Sequence, residues 1–288
     1  VKILDLALLL LLGAIWGGSY PFLRVAAPEF GPIALIGVRI AVAAICAVAV
    51  LGFRGGFAPV RQHFRALSAV GAINSAIPFC LFAYATLSIT AGFAAVLNAT
   101  VPLFGAVLGA LCFGERLAPA RALGLLIGFA GVVALVGHKL SFGAPALAIA
   151  AGFSAAFLYA LAAHLTKRWL HGVEPLAITV GSLLGSCVLL ALPAVLTWPT
   201  AMPSGRAWFA ALVLGVLSTT VAYLLYFHLI RSVGATSSMI VTYLIPAFAI
   251  FWGALFLGEP IGLDIVLGAA VILLGTGLVA RGTPKATR

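Results

Sequence analysis

The sequence predicts an all-α integral membrane protein of ten transmembrane helices, built as two inverted five-helix repeats with both termini in the cytoplasm. Three observations carry this. Of the 288 residues, 64% are hydrophobic and 8% charged, whereas a soluble domain carries about 25% charge. A water-facing surface cannot be built from so few charges. The apolar runs also have the length of a helix crossing the ~30 Å hydrocarbon core, roughly 20 residues. Finally, the second half of the chain repeats the first in a fixed register.

Charges and Gly/Pro punctuation divide the chain into segments 5–24, 32–52, 65–87, 91–113, 119–137, 145–166, 175–197, 206–230, 235–257 and 262–280. The first begins after Lys2 and ends at Arg24; its start resembles a signal peptide, but without a convincing cleavage site it reads as a span. The second runs from Pro32 to the residues before Arg54, and the third starts at Arg65. The fourth ends at Gly114-Glu115, and Pro119 opens the fifth. Lys167-Arg168 closes the sixth, Pro175 opens the seventh, and Arg206 and Arg231 bracket the eighth. Gly258-Glu259 ends the ninth and Arg281 the tenth. The connections are too short to hold a soluble domain.

The net charge is +10, yet no long Lys/Arg run offers a surface for nucleic acid. Instead the basic residues sort by side. Lys2, Arg54, Arg61, Arg65, Arg116, Arg121, Lys167, Arg168, Arg231, Arg281, Lys285 and Arg288 fall on one face, against Arg24, Lys139 and Arg206 on the other. Basic loops stay in the cytoplasm, which puts both termini there. Cys46, Cys80, Cys112 and Cys187 lie inside apolar runs without a C-x-x-C pair or a Cys/His cluster, so no disulfide framework, metal or other cofactor is expected.

In the repeat, Ala91 meets Ala235, Pro102 meets Pro246, Phe104 meets Phe248, and Gly109-Ala110-Leu111 meets Gly253-Ala254-Leu255. Gly114-Glu115 meets Gly258-Glu259, Gly124 meets Gly268, Gly131 meets Gly275, and Arg24 meets Arg168. Chance apolar similarity does not hold Gly, Pro and Glu in one register. With an odd number of spans per half, 1–137 and 138–288, the second half enters the membrane upside down. Inverted repeats around a midplane site are the architecture of secondary transporters.

Particular stretches also resemble a known family. Trp16-Gly17-Gly18-Ser19 with Pro21, and Ile36-Gly37-Val38-Arg39-Ile40, resemble the drug/metabolite transporter superfamily. Phe113-Gly114-Glu115-Arg116-Leu117 and Leu257-Gly258-Glu259-Pro260-Ile261 resemble its EamA-type, ten-helix branch. Within that branch the chain looks most like YddG-type amino-acid exporters of bacterial inner membranes. The resemblance implies export of small amphipathic metabolites, foremost amino acids with broad specificity including aromatic ones.

Polar groups inside hydrocarbon are costly and should face protein, water or ligand. Asn98 and Thr242 are repeat mates, each four residues before a proline, Pro102 or Pro246. That proline removes the hydrogen bond to their own carbonyls. The freed group either meets a ligand or is satisfied by the side chain across a kink. Thr219, Tyr223 and Tyr226 share one face of the eighth span, and their mates Ser75, Phe79 and Phe82 share one in the third. These faces line a cavity or pack as ordinary interior; mid-membrane tyrosines favour lining, because each hydroxyl needs a partner. Trp16, Ser19, Tyr20, Asn74 and Tyr159 are secondary candidates, which puts the cavity among the first, third, fourth, sixth, eighth and ninth spans.

Arg39 is the one cation well inside a span. It holds a substrate carboxylate, snorkels outward or binds helix-end carbonyls. Its resemblance to an arginine common to the family implies a structural role. Gly105, Gly109, Gly124 and Gly128 read as close packing faces, and His164 and His228 as interfacial residues.

No G-x-x-x-x-G-K-[ST] motif is present, so nothing points to ATP hydrolysis or an ATPase partner. Asp5, Glu29, Glu115, Glu174, Glu259 and Asp264 sit at ends or turns, which leaves proton coupling without a mid-span carboxylate. The expected partners are a small-molecule substrate and the bilayer. The alternatives are an exporter of drugs or other metabolites, a passive channel, and an intramembrane serine protease using Ser154 of Gly152-Phe153-Ser154 with His228.

Overall fold

A computed structural model describes residues 3–54, 56–115, 118–141, 146–234, 238 and 241–281. Lys2, Arg116, Leu117, Ala235, Lys285 and Arg288, together with the side chains of Arg54, Lys139 and Arg281, lie outside the described residues. The described chain is almost entirely helical and contains no strand.

Seven segments have the length and hydropathy to cross a membrane. They are α1 (Ile3–Phe30), α2 (Pro32–Arg54), α3 (Phe64–Ala85), α4 (Ala91–Cys112), α6 (Ala146–Trp169), α7 (Pro175–Leu196) and α8 (Gly205–Val233). Three further apolar helices, α5 (Pro119–Ser141), α9 (Val241–Leu257) and α10 (Leu263–Arg281), complete the ten. A short helix, Ala58–Gln62, joins α2 to α3. The outer surface is apolar: Ile45, Leu111, Leu126, Val188 and Leu196 are all more than two-thirds exposed, as lipid-facing side chains are.

Contacts at the two faces show the helices crossing alternately. At the face of the N-terminus, Ser232 donates to Asp5 (2.7 Å) and Arg231 lies 3.8 Å from Glu174. At the opposite face, the Ser204 N–H and hydroxyl donate to Glu29 (2.6 and 2.9 Å), and Arg24 pairs with Glu259.

Helix packing comes in pairs that the repeat exchanges. α1 packs on α9 as α6 packs on α4, α1 on α8 as α6 on α3, and α7 on α3 as α2 on α8, while α2–α7 and α5–α10 are self-paired. Two inverted five-helix repeats are therefore folded around a pseudo-two-fold axis. Glycines make the closest approaches. A Cβ on Gly71 would lie 2.1 Å from the Ser182 carbonyl oxygen, and one on Gly275 2.4 Å from the Gly128 nitrogen.

The tandem Gly-Glu turns have one construction. Gly114 and Gly258 stand at φ 68° and 64°, the left-handed region that glycine enters without steric cost. The next N–H, of Glu115 or Glu259, then donates to the carbonyl of Gly109 or Gly253 (2.8 and 3.2 Å). The carboxylates fold back where those glycines carry no side chain: a Cβ on Gly109 would meet Glu115 at 2.7 Å, and one on Gly253 would meet Glu259 at 2.5 Å.

Three expectations change. α1 continues to Phe30 because Arg24 does not leave the protein; it pairs with Glu259 and donates to the Thr86 and Ile89 carbonyls (3.2 and 2.5 Å). α4 is broken rather than kinked: one helix ends at Asn98 and another starts at Val101, with Pro102 in its first turn, where a missing N–H costs nothing. Of the proposed packing glycines, Gly109 faces the Glu115 carboxylate, Gly124 abuts the Gly275 carbonyl and Gly128 abuts Leu103, but Gly105 has nothing within 4 Å of its Cβ position. Its carbonyl instead bonds His164 Nε2 at 3.0 Å, and the His164 ring stacks on Phe113 (4.5 Å), tying the ends of α4 and α6.

Candidate functional site

The centre of the bundle holds a cavity of about 530 Å³. Two helical irregularities shape it. α3 and α8 each widen into a π turn, over Ala72–Ala76 and Val216–Val221. These turns are repeat mates, and such bulges often occur at functional sites. They present Asn74 and Ser75 on one wall and Ser218 on the other.

Aromatic rings form two groups. Tyr20 meets Phe82 edge-on at 5.6 Å, Phe82 stacks with Tyr159 at 6.1 Å, and Phe79 meets Tyr159 at 6.4 Å. Trp16 lies 6.4 Å from Tyr223 and 5.4 Å from Tyr226. Three buried polar atoms on the wall, Asn98 Oδ1, Ser182 Oγ and Ser218 Oγ, have no hydrogen-bond partner in the protein. Unpaired groups of this kind are costly unless water or a solute serves them. Ser19, by contrast, is satisfied by the Trp16 carbonyl at 2.5 Å.

Trp16, Ser19, Tyr20, Arg39, Asn74, Ser75, Phe79, Phe82, Asn98, Pro102, Tyr159, Tyr223, Tyr226 and Thr242 all border the cavity. Thr219 and Pro246 do not, which corrects their placement as lining. Thr219 is buried behind the wall, donating to the Leu214 carbonyl (2.8 Å) and accepting from Arg39 Nε (3.1 Å). Pro246 is buried in α9 beside the lining Ile245; one residue turns a helix by about 100°, and here that takes its ring off the cavity face. Ser154 and His228, the pair weighed as a protease dyad, are both exposed, and neither borders the cavity.

Sequence reasoning named α2 only through Arg39, outside its list of cavity-forming spans, and missed α7 altogether. α2 enters through Arg39, and α7 through Thr179, Ser182 and Leu183. Thr179 and Ser182, three residues apart, were a readable polar face in an apolar span. Ser218 was readable too, as the repeat mate of Asn74.

The cavity is asymmetric along the membrane normal. It extends past Ala163 and Thr166 of α6 and Ile178 and Thr179 of α7 toward the face that carries Arg168 and Glu174. The other face is sealed. There Glu259 accepts from Arg24 Nε (2.9 Å) and, through both oxygens, from the Ala91 N–H that opens α4 (3.0 Å each). An anion is favoured at a helix N-terminus. On the open side the mate of Glu259, Glu115, lies 3.4 Å from Arg121, and Arg168, the mate of Arg24, is exposed.

A ten-helix inverted-repeat bundle around a central cavity defines a membrane transporter. The chain belongs to the EamA-like transporter family, whose model matches twice, over residues 4–137 and 146–281. It is 28% identical over 281 residues to the uncharacterized inner membrane transporter YedA of Escherichia coli (strain K12), covering 93% of this chain and 88% of that one. A probable terminal-alkyne amino-acid exporter of Streptantibioticus cattleyicolor is 24% identical over 270 residues, covering 93% and 90%. A solved crystal structure 19% identical in sequence has the same fold, with a TM-score of 0.68 over 96% of both chains.

Proposed function

We propose that this chain is a secondary transporter of a bacterial inner membrane, with both termini cytoplasmic, that exports small amphipathic metabolites, foremost amino acids with broad specificity including aromatic ones. The observation that carries this is the central cavity, closed at one face, where two groups of aromatic rings stand beside unpartnered polar atoms. The rings take an apolar side chain; Asn98 Oδ1 and the Ser182 and Ser218 hydroxyls meet a polar head. The seal at Arg24 and Glu259 supports a carrier over an open pore. The probable amino-acid exporter among its relatives supports the substrate class. In this reading the halves 1–137 and 138–288 rock about the cavity and open it to each face in turn.

The test is counterflow in proteoliposomes holding the purified chain alone. Vesicles preloaded with unlabelled amino acids are given labelled phenylalanine, with and without a pH gradient. Uptake above equilibrium only after preloading, and indifferent to pH, is expected of a facilitative carrier. No accumulation of any amino acid by folded, inserted protein would overturn the assignment.

A further inference from the structure

Arg39 stands in the cavity wall with no carboxylate beside it among the described residues. It is 5% exposed. Its Nε donates to the neutral Thr219 hydroxyl at 3.1 Å, and its guanidinium carbon lies 3.8 Å above the Phe79 ring. None of the chain's six carboxylates borders the cavity, and among the described residues no carboxylate pairs with Arg39. A buried guanidinium in a membrane protein normally has an acidic partner or a functional reason to lack one. It is not snorkelling to an interface, because its head group is held between α2, α3 and α8.

The repeat removes the scaffold as that reason. The mate of Arg39 in α7 is Leu183, which borders the same cavity from the pseudo-symmetric position. The fold thus accepts an uncharged side chain there. Nor does the bond to Thr219 need a charge; a neutral amide could donate it. What a charge adds is attraction for an anion, and guanidinium donors match a carboxylate in geometry as well as sign. For an ammonium group the described lining offers no carboxylate; its acceptors are neutral, with Asn98 Oδ1 and the Ser182 and Ser218 hydroxyls unpartnered among them.

Resting on the transporter reading above, we infer that Arg39 is the specificity-determining residue of the cavity: it binds the solute's carboxylate, and the carboxylate is required where an ammonium group is dispensable. Amphipathic monocarboxylates neutralise the lone cation as well as amino acids do, and without the cost of burying a second charge. Amines without a carboxylate place a cation beside a cation.

The experiment compares phenylalanine, 3-phenylpropionate and phenylethylamine on the full chain, as thermal stabilisation in detergent and as competition against counterflow. The acid is expected to stabilise and compete at least as well as the amino acid, and the amine at least tenfold more weakly. Arg39→Gln should remove the preference for the acid while Arg39→Lys keeps part of it. If Arg39→Gln does not fold, Thr219→Val, which frees Arg39 Nε but keeps the charge, should preserve the preference. An amine that binds as well as the acid overturns the inference, as does an unchanged acid preference in Arg39→Gln or no response to either carboxylate. Stabilisation by the acid without any amino-acid counterflow would sink the amino-acid exporter reading and leave the role of Arg39 standing.

Discussion

Replacing Gly275 with alanine separates the scaffold from the site. Its Cβ would lie 2.4 Å from the Gly128 nitrogen, 2.5 Å from the Gly128 Cα and 2.7 Å from the Gly124 oxygen. Carbon contacts relax at about 3.5–4.0 Å, and all three neighbours are backbone, so no rotamer change relieves the clash. α5 and α10 must move apart by about 1 Å, opening gaps along a seam where a Cβ on Gly124 would likewise lie 2.6 Å from the Gly275 carbonyl oxygen. Overpacking costs about 1–3 kcal/mol, and a backbone clash belongs at the upper end. At roughly 2–4 °C per kcal/mol, Tm in detergent should fall by about 10 °C, read as monodisperse protein remaining after heating. Gly105→Ala is the control, because nothing lies within 4 Å of that Cβ, and its Tm should be nearly unchanged. Neither residue borders the cavity, so solute affinity should survive in both. A Gly275→Ala protein as stable as the parent would refute the close seam.

Other perturbations act on the cavity and its seal. Tyr223→Ala removes a ring beside Trp16, an aromatic contact worth about 0.5–1.5 kcal/mol, and should weaken solute affinity by roughly 2–10-fold in counterflow without loss of folded protein. Asn98→Ala removes an unpartnered cavity acceptor, with a similar loss expected for one hydrogen bond of about 1 kcal/mol; full activity in either variant would remove that residue from the site. Glu259→Gln weakens the seal. With Arg24 34% exposed, a loss of about 1–2 kcal/mol is reasonable after screening, and a cysteine placed at Asn74 should label roughly tenfold faster from the Arg24 face. Ser154→Ala should leave transport unchanged, since Ser154 is exposed on α6 outside the cavity.

The fold was largely legible because a bilayer imposes one strong rule: apolar runs of set length bounded by charge. The rule erred where a charge stayed inside the protein, as at Arg24, whose partners lie about 60 and 235 residues away in the chain. The repeat register was readable at Gly114-Glu115 and Gly258-Glu259 because those residues shape a backbone turn, which leaves a fixed sequence pattern. It gave no sign that the two turns differ in partner, since that depends on which face is closed. Helical spacing found the cavity faces of α3 and α8 but misjudged Thr219. The π turn there alters the phase of the helix, and spacing assumes a uniform one. α7 escaped notice because Thr179 and Ser182 are small and weakly polar, as many residues that only pack are.

Alternating access requires the end sealed by Arg24 and Glu259 to open in every cycle. The direct measurement is counterflow by an Arg24→Cys/Glu259→Cys variant, with Cys46, Cys80, Cys112 and Cys187 replaced, before and after bridging by a short reducible bifunctional thiol reagent. Exchange should proceed in the unbridged protein, stop on bridging and return on reduction. Exchange that continues with that end locked would contradict a carrier that opens to each face in turn.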